Sequence, residues 1–225
     1  MAPSHELKDV MLKGYWILSG RWVMEITLMQ VGEYAANCYV ISNGGRGIVI
    51  DPGSEGEAIV AVIKEQALSL EAIFNTHGHF DHIGANGTVK AATQAALYIH
   101  RGDELCLRDG RENLSVSVGF EAITSPPADH VLSGGEILQL AGLKVQILHT
   151  PGHSRGSICL YIGEVLFTGD TLFAGSIGRA DFPGASGEEL MDSLRNILMP
   201  LPSETVIYPG HGPASIIGRE KRDNP

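Results

Sequence analysis

The stretch that decides the fold and the chemistry of this chain is Thr76-His-Gly-His-Phe-Asp-His82. It directly follows the apolar run 72–75, which is typical of a buried strand. Three imidazoles and one carboxylate stand close together in this stretch. Keeping them together is costly unless something binds them, because each group would otherwise need its own solvation or partner. The stretch therefore predicts a metal site.

The spacing within this stretch predicts two adjacent metal positions. In extended backbone alternate side chains point the same way, so His77 and His79 can converge on one ion, with Gly78 permitting a close turn. Where the chain then turns toward a helix, Asp81 and His82 can face a second ion. We expect the two positions to lie a few ångströms apart.

Three more candidate ligands follow predicted strands and stand beside glycines. They are His153 in Thr150-Pro-Gly-His153, Asp170 in Thr168-Gly-Asp170 and His211 in Pro209-Gly-His-Gly-Pro213. Each alone is typical of a turn or a solvated loop. Their occurrence together with the first cluster favours metal ligation for all three.

Length and composition limit the classes of protein to consider. The chain has 225 residues, of which 44% are hydrophobic, as expected of one packed globular domain. Its 16 Lys and Arg against 26 Asp and Glu give a net charge of −10. Proteins that grip phosphate backbones carry basic surfaces, so a nucleic-acid partner is disfavoured.

The cysteine pattern and hydropathy favour a cytoplasmic location. Cys38, Cys106 and Cys159 are odd in number and widely spaced, unlike a disulfide framework. The apolar stretch 15–29 is interrupted by Arg21 and Glu25, well short of the roughly 20 residues that span a bilayer. We therefore predict no membrane partner and no signal peptide.

The chain is predicted to form one domain over 24–225, with a strand opening at Met24. Residues 1–23 differ in pattern from the rest of the chain and are predicted to be an extension, either disordered or foreign to the natural chain. Short apolar runs bounded by turn residues then predict buried strands. These runs are 38–42, 47–50, 72–75, 143–148, 157–162, 165–167 and 205–208.

Helices are predicted between some of these strands. Ser54–Glu57 and Ser186–Glu189 have the pattern of capping boxes. The second is followed by Leu190, Leu194, Ile197 and Leu198, which share one helix face before Pro200. The region 102–130 is predicted to hold a helix and a long loop. This alternation of strands and helices is typical of layered α/β folds.

From Met24 to the end, the order of these motifs resembles the metallo-β-lactamase-fold hydrolases. The resemblance implies an α/β (α+β) fold, an αββα sandwich of two mixed β-sheets flanked by helices, with metals at one edge. It implies that the first metal is held by one set of ligands and the second by another, with one shared residue. The first set is His77, His79 and His153, the second is Asp81, His82 and His211, and Asp170 bridges them.

Within that family, the segments 168–183 and 209–213 are similar to the glyoxalase II group, the hydroxyacylglutathione hydrolases, and most to its short bacterial branch. This implies a binuclear metal-dependent hydrolase that cleaves a small thioester, such as S-D-lactoylglutathione, through a metal-bridging hydroxide. Asp81 would orient that nucleophile and take its proton. The nitrogen and oxygen ligands favour two zinc ions, with iron or manganese as alternatives.

Two residues outside the ligand set are further candidates. Asp51 stands where the family places a carboxylate that orients a ligand histidine, although an Asp before Pro-Gly is also a common turn former. Arg179 stands where the family places a basic substrate-binding residue, but it could instead pair with Asp181. The other histidines, His5, His100, His130 and His149, receive no role.

Two alternative activities stay open at this point. The segment Gly178–Phe182 is similar to one in persulfide dioxygenases, in which the residues equivalent to His77, His153 and Asp170 bind a single iron. The same fold also serves lactonases, β-lactamases and phosphodiesterases. The acidic composition argues against a nuclease among these.

Overall fold

The computed structural model of this chain describes residues 12–18 and 21–225, with side chains from residue 24 onward. The strands are β1 (Leu12–Leu18), β2 (Arg21–Val31), β3 (Ala36–Asn43), β4 (Arg46–Ile50), β5 (Ser69–Phe74), β6 (Ala96–His100), β7 (His130–Leu132), β8 (Ile137–Leu140), β9 (Leu143–His149), β10 (Ile158–Ile162), β11 (Val165–Gly169), β12 (Leu172–Phe173), β13 (Ser176–Ile177), β14 (Val206–Pro209) and β15 (Ser215–Ile216). The helices are α1 (Gly56–Glu65), α2 (Phe80–Ile83), α3 (Asn86–Thr93), α4 (Gly187–Ser193) and α5 (Ile217–Asp223).

Strands that are apolar on both faces require covering on both faces. In β3, Tyr39 and Ile41 point into one buried cluster, and Cys38 and Val40 point into another. This follows from the period of two along a strand. β10 shows the same alternation, and the central strands of both sheets are therefore buried on each side.

Two mixed sheets satisfy this requirement. One has seven strands in the order β1-β2-β3-β4-β5-β6-β7, and the other has six in the order β15-β14-β11-β10-β9-β8. Their inner faces meet in a core that includes Phe74 and Phe167. α1 and α3 cover the outer face of the first sheet through residues such as Ile59 and Val89, and α4 and α5 cover the second through residues such as Leu190. The predicted αββα sandwich is confirmed.

Strand direction brings the candidate ligands to one edge. β4 and β5 are parallel, so their carboxyl ends, at Ile50 and Phe74, lie together. β11 is parallel to β14, and β9 runs the same way as β11 because both are antiparallel to β10. The loops that follow β4, β5, β9, β11 and β14 therefore meet where the two sheets open.

The amino-terminal strand begins earlier than predicted. The strand predicted to open at Met24 begins at Arg21, and residues 12–18 of the predicted extension form β1, which pairs with β2 at the edge of the first sheet. Residues 1–11 lie outside the described part of the chain. The division into 1–23 and 24–225 stays a prediction.

One of the two predicted capping boxes is wrong. α1 begins at Gly56 after Glu55, which adopts a left-handed conformation, and Ser54 makes no capping bond. The Glu55 carboxylate instead accepts the Gly32 N–H at 2.7 Å, so it is held by a neighbouring loop. The second box is confirmed, because the Ser186 hydroxyl accepts the Glu189 N–H at 3.2 Å.

None of the described helices is long and apolar enough to cross a bilayer.

The region 102–130, predicted to hold a helix and a long loop, contains helix only as short 3₁₀ segments. The described backbone there contains two short 3₁₀ turns, Glu104–Leu107 and Val116–Val118, and otherwise irregular structure. The buried Asn113 amide donates to the carbonyls of Cys106 and Ile123, both at 2.8 Å. Asn113 thus joins backbone segments that lie seven and ten residues away from it in the sequence.

Candidate metal centre

Three buried imidazoles converge at the edge of the first sheet. The donor nitrogens of His77, His79 and His153 lie within 4.8 Å of one another. His79 Nδ1 is 2.9 Å from His153 Nε2. His77 Nε2 is buried without a hydrogen-bond partner, which is rare for a polar atom unless a ligand completes the site.

A second group of donors lies beside the first. His82 Nε2 is 3.3 Å from His211 Nε2, and the Asp81 Oδ2 atom is 3.3 Å from that same His211 nitrogen. All their donor atoms lie within 4.8 Å of one another. Asp81 and His82 come from α2, whereas His211 follows β14, so both sheets contribute to this group.

Asp170 contacts both groups. Its Oδ2 atom is 3.6 Å from His153 Nε2 and 3.6 Å from His211 Nε2, and its Oδ1 atom is 3.6 Å from His82 Nε2. Asp170 Oδ1 is buried and has no hydrogen-bond partner. A Cβ atom at Gly210 would overlap this oxygen, so glycine is needed where the loop after β14 passes Asp170.

The far nitrogen of most of these imidazoles is held by another group. His82 Nδ1 donates to Asp51 Oδ2 at 3.0 Å, and the Asp51 carboxylate in turn accepts the Thr76 N–H at 2.7 Å and the Thr76 hydroxyl at 2.6 Å. Asp51 thus touches a candidate ligand at the position expected from the sequence. His153 Nδ1 donates to the Arg179 carbonyl at 2.8 Å, and His211 Nδ1 to the Tyr34 carbonyl at 3.2 Å.

The electrostatics of the two groups differ. Burial lowers the pKa of His79 to about 3 and lowers that of His77 well below its usual value, with the neighbouring imidazoles adding to the effect. These rings are therefore neutral, as imidazoles that bind a metal must be. Burial also acts to lower the pKa of His82, but Asp81, Asp170 and Asp51 outweigh it and raise this pKa to about 10. The second group is therefore an environment that favours a cation.

This donor set fits divalent metal ions. Neutral imidazoles and carboxylates are the ligands that zinc, iron and manganese accept, and two buried candidate donor atoms, His77 Nε2 and Asp170 Oδ1, have no hydrogen-bond partner. His82, His153 and His211 also have their outer nitrogens held, as ligating imidazoles usually require. The residues that would hold the first ion are His77, His79 and His153, those for the second are Asp81, His82 and His211, and Asp170 contacts both groups.

A cleft of about 150 Å³ opens beside His79. Its lining includes Arg155 and Glu112, which bring opposite charges, and Cys106. Burial raises the pKa of the Cys106 thiol, with Asp103 and Glu112 adding to the effect, so this cysteine is protonated and not a nucleophile. Arg155 was not singled out from the sequence, because a lone arginine after a histidine carries no distinctive pattern.

Arg179, the predicted substrate residue, is not among the residues that line this cleft. Its guanidinium pairs with Asp181 at 2.9 and 2.8 Å and lies over the Phe182 ring, 4.1 Å from the ring centroid. Phe182 packs edge-on against His79 and His153, with centroid separations of 5.5 and 5.9 Å. Phe182 therefore covers one side of the first group. The sequence did not reveal this role.

Three histidines that were given no role lie apart from both groups. His100 and His149 stack on each other with ring centroids 4.0 Å apart, and His130 stacks on Tyr98. His5 lies outside the described residues.

Comparison with known proteins agrees with this geometry. Residues 31–211 match the model of the Metallo-beta-lactamase superfamily. The chain is 37% identical over 206 residues to hydroxyacylglutathione hydrolase GloC of Haemophilus influenzae, covering 90% of this chain and 97% of that protein. It superposes on the crystal structure of the BLEG-1 B3 metallo-β-lactamase with a TM-score of 0.86, at 37% identity over 89% of this chain and 98% of that one. It also superposes on TTHA1623 in a di-iron-bound form with a TM-score of 0.79, at 38% identity over 88% and 98% of the two chains.

Proposed function

This chain belongs to the metallo-β-lactamase superfamily and is a metal-dependent hydrolase, and on that premise we propose that it cleaves a small thioester using two metal ions. A hydroxyacylglutathione thioester, such as S-D-lactoylglutathione, is the proposed substrate. The similarity to GloC supports this choice of substrate.

One observation carries the proposal of two ions. Asp170 lies 3.6 Å from His153 in the first group and 3.6 Å from His82 and His211 in the second. A carboxylate between two complete sets of donors is what a binuclear site needs, whereas a single ion would leave Asp81 and His211 without a role. The similar structure of TTHA1623 is of a di-iron-bound form, which supports this proposal.

The proposed reaction adds water to the thioester carbonyl and breaks the C–S bond. When bound, two divalent ions would activate the water and polarise the carbonyl oxygen. Asp81 is half-buried, and its pKa is lowered because His82 and His211 outweigh the effect of burial. It therefore remains ionised and can orient the attacking water by accepting a hydrogen bond from it. The thiolate leaves readily, since its conjugate thiol has a pKa of about 8.5, and it needs no separate acid.

The surroundings suit a substrate with charged ends. The cleft beside His79 offers Arg155 for a carboxylate and Glu112 for an ammonium group, and the Phe182 ring packs edge-on against the His79 ring. The guanidinium of Arg179, the basic residue expected from the resemblance, lies over the Phe182 ring. We propose that one or both arginines recognise the carboxylates of the thiol portion.

A substrate panel tests this function. The purified, metal-loaded protein is offered a thioester, a lactone, a β-lactam and glutathione persulfide, and the release of thiol, acid or sulfite is measured. We expect thiol release from S-D-lactoylglutathione. His79→Ala and Asp170→Ala should abolish it and reduce bound metal, whereas His130→Ala, a control whose ring stacks on Tyr98 outside both groups, should not. Sulfite formation without thioester hydrolysis would overturn the proposal.

A further inference from the structure

Asp103 is a buried carboxylate that connects the two loops of the first ligand group. Its hydrogen bonds go to residues beside the histidines and not to the imidazole rings. It is 2% exposed and lies between β6 and the first 3₁₀ turn. Its Oδ2 atom accepts the Gly78 N–H at 2.8 Å and the Ser154 hydroxyl at 2.6 Å. Its Oδ1 atom accepts the Gly156 N–H at 2.7 Å.

These three bonds bracket every ligand of the first group. Gly78 lies between His77 and His79, so the bond to its N–H fixes the peptide that joins the two rings. Ser154 directly follows His153, and Gly156 lies two residues further along the same loop. None of the three bonds reaches a neighbour of the ligands Asp81, His82 or His211.

The packing around Asp103 is too tight to allow another arrangement. A Cβ atom at Gly78 would overlap Cys106, and one at Gly156 would overlap the Asp103 carboxylate itself. One at Gly102 would come within 2.7 Å of the Arg155 and Gly156 backbone. Three glycines thus let the two ligand loops close directly onto one carboxylate.

We propose that Asp103 is a positioning residue that sets the geometry of the first metal site by holding both of its ligand loops. This inference rests on the proposed binuclear function. A carboxylate suits the task because it accepts at all of its contacts. An amide in its place has a single acceptor oxygen, so its NH₂ group must face either the Gly156 N–H or the Gly78 N–H and Ser154 hydroxyl.

The test measures Zn²⁺ affinity site by site, by competition with a chromophoric chelator. His211→Ala removes a ligand of the second group and isolates the first, whereas His79→Ala isolates the second. In the His211→Ala background, Asp103→Asn should weaken binding by about 10–100-fold, as loss of an orienting partner typically does. In the His79→Ala background it should leave binding unchanged.

Folding of the metal-free protein is followed in parallel by thermal unfolding. Should Asp103→Asn fail to fold, Ser154→Ala, which removes one of the three bonds, should still weaken the first site selectively. Unchanged affinity in the His211→Ala background, or an equal loss in both backgrounds, would overturn the positioning role. A wild-type chain that binds no Zn²⁺ would instead refute the proposed function and this inference together.

Discussion

Individual residues at this site act through their backbones as well as their side chains. The Arg179 carbonyl holds His153, while the Arg179 guanidinium is turned away into an exposed pair with Asp181. An exposed ion pair contributes little to stability, so this guanidinium can leave Asp181 at low cost. Arg155, by contrast, lines the cleft beside His79. The two arginines are therefore distinct candidates for recognising a substrate carboxylate.

Kinetics can separate them. Arg155→Ala should raise KM for a carboxylate-bearing thioester by about 10-fold or more while leaving kcat near its original value, because a charged hydrogen bond is worth about 1.5–3 kcal/mol. Arg179→Ala should change KM less, because Arg179 is not among the residues that line the cleft beside His79. A neutral thioester serves as the control and should show no difference between the variants. Equal KM values for wild type and Arg155→Ala would contradict a role for the cleft in recognition.

At the scale of residues, the sequence reveals which side chains are candidate metal ligands. It does not reveal which backbone groups hold them. The histidines and aspartates were identifiable because so many metal-binding groups occur close together, and Asp51 because it follows a strand end. The carbonyls of Arg179 and Tyr34 could not be foreseen, since every residue carries a carbonyl. Asp103 was missed for a similar reason: its partners Gly78, Ser154 and Gly156 are distant in sequence and form no pattern with it.

At the scale of elements, β3 anchors the loop that carries His211. The buried Asn37 amide donates to the carbonyls of Pro209 and Gly212 at 2.9 and 2.8 Å, on either side of His211. The Tyr39 hydroxyl also donates to the Pro209 carbonyl at 2.6 Å. These bonds join the first sheet to the second at the edge where the ligands lie. They explain how loops from different sheets hold one site.

Asn37→Ala should therefore weaken both the fold and the second metal group. It removes two hydrogen bonds, one to the Gly212 carbonyl and one to the Pro209 carbonyl that Tyr39 still contacts, at a cost of about 1–3 kcal/mol in the free energy of unfolding measured by denaturant. The matched control is Asn43→Ala on the same strand, which loses a bond from its amide to the Ala141 carbonyl far from the ligands. Asn43→Ala should leave metal affinity intact. The interpretation fails if Asn37→Ala binds both metals with wild-type affinity.

The carboxyl-terminal helix α5 is tied down by Glu220. Its carboxylate accepts from the Ser215 hydroxyl, from the Gly175 N–H at 2.8 Å and from the Asn224 amide at 2.8 Å. Burial acts to raise the pKa of Glu220, but these hydrogen bonds outweigh it and lower the pKa below its usual value. A depressed carboxyl pKa stabilises the fold above the unfolded-state pKa, and this stability is lost as pH falls through the folded-state pKa.

Glu220→Gln should accordingly flatten the acid limb of the stability curve. The wild-type free energy of unfolding is expected to fall as pH drops below about 4.3, with Glu220 contributing part of the slope. The variant should be less stable at neutral pH and lose less on acidification, as followed by urea unfolding at several pH values. Glu204→Gln, at an exposed position, provides the comparison. Parallel stability curves for wild type and Glu220→Gln would show that the hydrogen bonds of Glu220 do not contribute to the pH dependence of stability.

Elements were more predictable than their ends. Short apolar runs such as 38–42 and 157–162 predicted buried strands, because a strand covered on both faces is apolar along its whole length. The sandwich itself was implied by the family resemblance. The start of α1 was mispredicted because Ser54 and Glu57 have the composition of a cap, whereas tertiary contact drew Glu55 to Gly32. The detailed course of the region 102–130 was not predictable, because it depends on bonds from Asn113 to backbone seven and ten residues away, which local pattern does not reveal.

At the scale of the whole molecule, the site belongs to neither sheet alone. Asp81 and His82 follow a strand of the first sheet, and Asp170 and His211 follow strands of the second. Ions bound there would link the two halves of the sandwich. The acidic chain, with a net charge of −10, fits this arrangement, because cations at the edge would locally offset its negative charge and admit an anionic substrate.

The central claim, two metal ions acting together on a thioester, is tested most directly by titrating metal into the metal-free protein while following hydrolysis. Thiol release from S-D-lactoylglutathione should reach its maximum at two equivalents of metal per chain, as determined by elemental analysis of the same samples. Saturation at one iron per chain, with sulfite produced from glutathione persulfide and no thioester turnover, would contradict the account.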